Sequence, residues 1–349
     1  MSTAPFADSA AAVSNLELTD APRGADDTRR PRIRLLSIVR LAVAVGILVY
    51  LLRQIPISQV VDAIVLADRG WLLAAAALAV AGQGVIACRL QLLSKELGLA
   101  LTTRRILEIN VGATFYGLFL PAANLARSAV RLYAMARPTG RIVETMSAVF
   151  FDRVAATAAT AILGLVAFWP ADVPRQFGYV GWVFAASIVA LLLLFAAFTS
   201  RWAAVAWRYV AARTGFPWGV KKLVKVRTSL ARLPAVPTGV FVRVLMLALG
   251  TQAISLVAAY ALVGALNADI GVLELAWVVS AVRLLVILPI SPSGLGVREG
   301  ALVVLLGAYG VRGQDALAFS LLGFATSELL IGLIGGVVEG QLFLRPRRG

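Results

Sequence analysis

The sequence predicts an all-α polytopic membrane protein with about six full membrane spans and two broken or re-entrant helical hairpins. Apolar residues make up 60% of the 349 positions and charged residues 15%, whereas soluble domains are about half apolar and a quarter charged. The mean hydropathy is +0.86. Several apolar runs also exceed the roughly 18 residues that mark a transmembrane helix. These three observations exclude a soluble globular domain.

The chain begins with residues 1–34, which have no periodic apolar face and are predicted to form a disordered cytoplasmic tail. The basic stretch 29–34 ends this tail and should stay in the cytoplasm. Residues 35–344 are then predicted to form a single transmembrane domain. A basic C-terminal tail, 345–349, completes the chain.

Six apolar runs are predicted to be full spans, with basic loops on one side and neutral or acidic loops on the other. This bias predicts a multi-pass protein of the cell (inner or plasma) membrane with both termini in the cytoplasm. The predicted spans are 35–52, 71–93, 142–169, 179–198, 241–266 and 316–343.

The segment 201–236 has eight basic residues and no acidic residue. Tryptophans accompany the basic residues, which is typical of an amphipathic helix lying in the headgroup plane. A cytoplasmic loop that only fixes the topology would also satisfy this charge bias. Both interpretations place the segment on the cytoplasmic side.

Two further apolar segments, 106–141 and 273–310, are broken in the middle and return to the side from which they start. Proline and glycine interrupt helices and allow tight reversals. Non-helical backbone at membrane depth is tolerated only when it is buried in protein or lines a wet cavity; the alternative is a short surface loop between two full spans. The predicted break and hinge residues are Pro121, Pro289, Pro292, Gly294 and Gly296.

The predicted topology has the first broken unit entering from the cytoplasm and the second from outside. Broken hairpins that enter from opposite sides are typical of inverted-repeat transporters, whose sites lie near the membrane midplane. The two halves show too little sequence similarity to establish a repeat.

Ionisable residues within the apolar segments are the candidates for function, because such residues are costly in a membrane. Cations outnumber anions among them, which favours an anionic ligand such as a lipid phosphate, and arginine suits phosphate because its planar fork donates two hydrogen bonds. Structural ion pairs between helices are the alternative for each. The ionisable candidates are Arg127, Arg131, Asp152, Arg153, Arg283, Arg298, Glu299 and Glu328.

An enzyme is the weaker interpretation. The chain has no histidine and one cysteine, Cys88, which excludes disulfide frameworks, Cys/His zinc sites and histidine-based triads. Metal-dependent glycosyl transfer would need clustered carboxylates, and the outside loop after the first span offers only Asp62 and Asp68. We therefore predict no catalytic residue, no metal site and no cofactor.

The stretch Leu-Pro-Ile-Ser-Pro-Ser-Gly-Leu-Gly-Val-Arg-Glu at 288–299 resembles the C-terminal signature of the lysylphosphatidylglycerol synthase transmembrane-region family, whose members are described as flippase-like. Phe119-Leu120-Pro121 followed by Arg131-Leu132-Tyr133 resembles the first motif of that family, and Phe151-Asp152-Arg153 resembles the arginine that starts its next span. The resemblance covers about 35–344.

Two departures from the family pattern stand out. Arg127-Ser128 occupies the place of a glycine pair in the first motif. The best-understood members continue into a cytoplasmic aminoacyl-transfer domain, whereas this chain stops at Gly349, so we expect no synthesis of aminoacylated lipid. The resemblance implies movement of a phospholipid or polyprenyl-linked lipid between leaflets.

The leading hypothesis is therefore a lipid translocase. Its predicted phosphate ligands are Arg131, Arg153 and Arg298, with Glu299 and Glu328 balancing charge or contacting an amine, and with Ser291 and Ser293 as further substrate contacts. The expected partners are membrane lipids and not nucleic acid. Two alternatives stay open: a membrane-embedded lipid-linked glycosyltransferase, and a scaffold that recruits a separately encoded lipid-modifying enzyme.

Overall fold

The computed structural model describes Gly46, Tyr50 and residues 53–119, 123–199, 236–287, 294 and 296–344. All regular secondary structure in these ranges is helical. Several predictions lie outside the described residues: the tail 1–34, nearly all of the span 35–52, the segment 201–236 apart from Val236, the tail 345–349, and Pro121, Pro289, Ser291, Pro292 and Ser293.

The described helices follow one another in chain order, and residues 200–235, between α6 and α7, lie outside the described ranges. A 3₁₀ turn, Arg175–Phe177, precedes α6, and a π turn, Ala325–Leu329, joins α10 directly to α11. The helices are α1 (Ile57–Val65), α2 (Arg69–Glu96), α3 (Thr103–Phe119), α4 (Ala123–Thr139), α5 (Ile142–Phe168), α6 (Tyr179–Thr199), α7 (Thr238–Ala265), α8 (Val272–Ile287), α9 (Val297–Gly307), α10 (Gly313–Phe324) and α11 (Leu330–Leu344).

Five helical segments of the described chain are long and apolar enough to cross a membrane. They coincide with five of the six predicted spans, and the sixth falls on residues 35–52. The five segments are Arg69–Glu96, Ile142–Phe168, Arg175–Leu194, Thr238–Ala265 and Gly313–Gln341. The chain is thus an all-α, multi-pass membrane protein.

The long helices connect two buried apolar clusters at opposite ends of the bundle. Helix α2 contributes Ala75 to one cluster and Leu93 to the other, and α7 contributes Ala265 and Val244 in the same way. We call the end that contains Leu93 and Val244 the proximal end and the end that contains Ala75 and Ala265 the distal end. The proximal end is the one predicted to face the cytoplasm.

Helices α3 and α4 form one hairpin, and α8 and α9 form a second. Ile106, near the start of α3, and Met135, near the end of α4, both lie in the proximal cluster. Leu275 near the start of α8 and Leu306 near the end of α9 both lie in the distal cluster. The two hairpins therefore enter the bundle from opposite ends, as the sequence predicts.

Both hairpin tips reach the same stretch of the last membrane segment. At the first tip, Arg127 of α4 forms an ion pair with Glu328 in the π turn. At the second, the guanidinium of Arg298 lies 5.6 Å from the ring centre of Phe324, one helical turn before Glu328. The hairpin helices have 17, 17, 16 and 11 residues, about 25 Å or less, which is shorter than the roughly 30 Å hydrocarbon core.

Close packing fixes the first hairpin against α11. A Cβ atom at Gly335 would overlap the backbone carbonyl of Val111 on α3, and one at Gly336 would lie 2.9 Å from the ring of Phe115. Small residues let membrane helices approach this closely. Helix α3 thus lies directly against the half of the last segment that follows the π turn.

The second tip contains two glycines in left-handed backbone conformations. Gly294 has φ +76° and Gly296 has φ +77°, a region that disfavours other residues. A Cβ at Gly294 would also lie 2.7 Å from a methyl group of Val286. The predicted unusual dihedrals are observed at these two glycines, whereas their role as hinges stays a prediction.

Candidate functional site

Charged side chains gather around the first hairpin tip, most of them inside the bundle. We call this group the tip site. It contains five arginines and two carboxylates: Arg89, Arg127, Arg131, Arg153, Arg283, Asp152 and Glu328.

Asp152 of α5 is the buried anchor of the tip site. It accepts a hydrogen bond from Arg89 Nε at 2.7 Å on one carboxylate oxygen and from Arg131 Nη1 at 3.4 Å on the other. Arg89 and Asp152 are both almost fully buried. These bonds hold α2, α4 and α5 together. Arg131, however, makes only a long contact with the Asp152 carboxylate.

The Arg127–Glu328 pair is less enclosed. The Arg127 side chain is 19% exposed and the Glu328 side chain is 28% exposed. Glu328 lies within the π turn, and π turns inside α-helices are frequent at functional sites. A Cβ at Gly117 on α3 would collide with the Arg127 side chain, so glycine at that position makes room for the arginine.

Arg153 adds a cation that the bundle does not enclose. Its side chain is exposed, and its Nη2 donates to Ser128 Oγ at 3.3 Å. Asp152, Arg127, Arg89 and Glu328 lie within electrostatic range of it. Arg153 therefore connects the interior of the tip site with the outer surface between α4 and α5.

Arg283 reaches the tip site from α8. Its Nη1 donates to Gln252 Oε1, and Gln252 Nε2 donates to Thr160 Oγ1 at 2.7 Å. Gln252 lies halfway along the 28 residues of α7, which places this network near the middle of the membrane. Glu328 is also an electrostatic neighbour of Arg283, so one carboxylate lies between Arg127 and Arg283.

Several polar atoms in this region are buried without a hydrogen-bond partner in the described chain. They include Nε of Arg127, Nε of Arg131 and both amide atoms of Asn110. Asn110 lies two helical turns before Gly117 on α3, which places it on the face that meets α4. Unpaired buried donors are costly, and here they accompany a surplus of positive charge. The site is therefore suited to an anion with several acceptor oxygens.

The second tip holds a different arrangement, which we call the cap cluster: Gly296, Arg298, Glu299 and Ser320. Glu299 accepts from the backbone N–H of Gly296 at 2.7 Å with Oε2, and from Arg298 Nη2 at 2.8 Å and Ser320 Oγ at 3.1 Å with Oε1. Arg298 Nε also donates to Ser320 Oγ at 3.1 Å. This cluster is neutral, and it caps the start of α9.

The structure divides the predicted site residues into two groups. Arg131, Arg153 and Glu328 lie in the tip site, whereas Arg298 and Glu299 lie in the cap cluster, where they bond mainly to each other and to Ser320. Ser291 and Ser293 lie outside the described residues. Sequence reasoning missed Arg89, Asn110 and Gln252. Each is a polar residue in an apolar run, a signal that could have identified all three.

The fold and the site define a class: a multi-pass helical membrane protein with two opposed hairpins and arginines at membrane depth. The model of the lysylphosphatidylglycerol synthase transmembrane-region family matches residues 37–335, and the chain belongs to this family of membrane proteins of lipid metabolism or transport. Comparison with curated proteins gives no match.

Proposed function

We propose that this protein translocates a phospholipid or a polyprenyl-linked lipid between the two leaflets of the membrane. The tip site binds the phosphate of the headgroup while the acyl chains stay in the bilayer. The observation that carries the proposal is the surplus of arginine at membrane depth, where the Nε donors of Arg127 and Arg131 have no partner among the described residues. Arginine is the residue best suited to phosphate.

In this mechanism the phosphate replaces Glu328 on Arg127. Glu328 is only half-buried and lies in a π turn, so it moves at lower cost than the buried Asp152. The displaced carboxylate has Arg283 as its second cationic neighbour, or it contacts an amine of the headgroup. The two arrangements of Glu328 give the site a bound and an unbound state, as a translocation cycle requires.

Arg153 is the entry residue of this mechanism. Because its guanidinium is exposed between α4 and α5, it is the arginine of the tip site that a lipid headgroup meets first. Asp152 positions Arg89 and Arg131 behind it. The headgroup then passes from the exposed arginine to the buried ones while the tails remain outside the bundle.

The glycosyltransferase and scaffold alternatives rest on features other than the tip site. The described residues hold no group of three or more potential metal ligands. The basic segment on which the scaffold hypothesis rests lies outside the described residues. No contact in the described part of the chain favours either alternative.

The test is leaflet exchange of fluorescent phospholipids in proteoliposomes. Arg127→Gln and Arg153→Gln should each slow the exchange about tenfold or more, since hydrogen bonds to charged groups contribute about 1.5–3 kcal/mol. Arg137→Gln is the matched control, because Arg137 is an exposed residue in the last turn of the same α4 helix. This variant should retain the wild-type rate.

Two results would contradict the proposal. One is wild-type exchange no faster than in protein-free liposomes for every phospholipid and polyprenyl-linked lipid supplied. The other is equal slowing by Arg137→Gln and Arg127→Gln, which would point to a general loss of charge. Circular dichroism and thermal unfolding of each variant in detergent check that it is folded.

A further inference from the structure

A groove of about 310 Å³ lies between α2, α3 and α11, separate from the tip site. Apolar side chains from all three helices line it: Val80, Leu107, Val111, Ile331, Ile334 and Val338. An apolar groove on the side of a membrane protein faces the acyl chains of the bilayer, so its lining suits a lipid tail.

Polar side chains also line the groove. Arg104, Glu108 and Gln83 share the cavity with the apolar residues. Gln83 lies midway along α2. Arg104 and Glu108 lie in the first two turns of α3, so the charged groups of the groove are at its proximal end.

The charge at the mouth of the groove is positive. Arg104 Nε and Arg105 Nη1 lie 3.2 Å and 3.1 Å from the two oxygens of Glu108, so two arginines share one carboxylate. The Arg104 side chain is nevertheless 80% exposed, and its remaining donors are open to a ligand. One net positive charge at the end of an apolar groove complements a phosphate attached to an acyl chain.

We propose that this groove is a second lipid site, which binds a glycerophospholipid from the leaflet at the proximal end. The phosphate binds Arg104, and one acyl chain extends from it along the groove between α2 and α11. The site does not depend on translocation. Helix α11 lines the groove and directly follows the π turn that contains Glu328. The bound lipid therefore also stabilises the helix next to Glu328.

The test measures phospholipid retained by the purified protein after detergent exchange, with phosphatidylglycerol and diacylglycerol supplied in separate samples. Val338→Trp fills the groove, and Val337→Trp is its matched control, because Val337 is an exposed neighbour that does not line the groove. Arg104→Gln removes the phosphate contact, and Arg137→Gln removes the same charge from an exposed residue at the proximal end that does not line the groove.

We expect wild-type protein, Val337→Trp and Arg137→Gln to retain the same number of phosphatidylglycerol molecules. Val338→Trp should retain one molecule fewer, because its tip site is unchanged, and Arg104→Gln should bind the groove lipid about threefold to tenfold more weakly. Diacylglycerol, which lacks the phosphate, should be retained poorly by every form. Equal retention by Val338→Trp and Val337→Trp would overturn the proposal, and so would equal binding of diacylglycerol and phosphatidylglycerol.

A cysteine pair tests the other occupant that the chain itself offers, its apolar run 35–52. In a Cys88→Ala background, Val338→Cys is combined in turn with single cysteines along 35–52. Absence of cross-linking with lipid present supports the lipid site. Efficient cross-linking at one register would overturn the proposal, because the chain would then fill its own groove. Wild-type leaflet exchange by a protein that holds no lipid in the groove would show that the proposed function stands even when the second-site proposal fails.

Discussion

The two hairpin tips reach the same stretch of the last membrane segment with opposite chemistry. At the second tip, Glu299 is 4% exposed, and both of its oxygens are occupied by partners from the tip itself and from Ser320. At the first tip, the Nε donors of Arg127 and Arg131 have no partner in the described part of the chain, and the Glu328 side chain is partly exposed. Within that part of the chain, the charged groups of the second tip satisfy one another, whereas those of the first tip leave donors for a ligand.

This difference separates an architectural role from a binding role for residues that look equivalent in the sequence. Removing a residue of the cap cluster should lower the stability of the second tip and leave ligand binding unchanged. Removing a residue of the tip site should change ligand binding more than stability. Thermal unfolding and lipid exchange of single variants distinguish these two roles.

Glu299→Ala should have the largest effect on stability. The substitution leaves the Gly296 N–H and the Arg298 guanidinium without their shared acceptor, and breaking a buried pair costs about 3–5 kcal/mol. Glu328→Ala should cost only about 1 kcal/mol, because that pair is partly exposed. Thermal unfolding in detergent compares the two variants. Equal losses would remove the distinction between the tips.

Gly335→Val should be the next most damaging change, because a side chain there overlaps the Val111 carbonyl of the first hairpin. Forced overpacking typically costs about 1–3 kcal/mol. Gly340→Val is the matched control on the same helix, since a Cβ at Gly340 meets no atom within 4 Å. Unfolding curves in which both variants match the wild type would show that α3 and α11 are not held together at this point.

Ser320→Ala should have a moderate effect confined to the second tip. The hydroxyl accepts from Arg298 Nε and donates to Glu299, so its removal should cost about 1 kcal/mol. Phospholipid exchange, once corrected for the amount of folded protein, should not change. A selective loss of lipid exchange in this variant would show that the cap cluster is part of the binding site.

The smallest expected effect on stability is at the base of the second hairpin, and it depends on pH. Trp277 Nε1 donates to the Tyr309 hydroxyl at 2.9 Å, and burial raises the pKa of Tyr309 above its ordinary value. The folded state therefore favours the neutral phenol, and this contribution to stability is present below about pH 10 and lost above it. Melting temperatures across pH 9–11 should fall less in Tyr309→Phe than in wild type; parallel curves would contradict this.

Apolar run length was sufficient to predict the described spans. The run 71–93 became the helix Arg69–Glu96, and the run 241–266 became Thr238–Ala265. Proline and glycine marked the broken units, and Gly294 and Gly296 indeed have positive φ. These features are local, so the sequence contains their signals directly.

Pairing across the bundle could not be predicted in this way. Arg89 and Asp152 are 63 positions apart, and their contact depends on which faces of α2 and α5 meet. The sequence treats Arg131, Arg298, Glu299 and Glu328 alike, as ionisable residues in apolar runs. Only the packing of the hairpins shows that Glu299 is enclosed by its own tip while Glu328 lies in a π turn beside Arg127.

The most direct test of the account is phospholipid binding to Glu328→Gln in detergent, measured by native mass spectrometry against wild type. Because Glu328 competes with phosphate for Arg127, its neutralisation should tighten phospholipid binding about threefold to tenfold. Binding that is unchanged or weaker in Glu328→Gln would contradict the account, because Glu328 and phosphate would then not compete for Arg127.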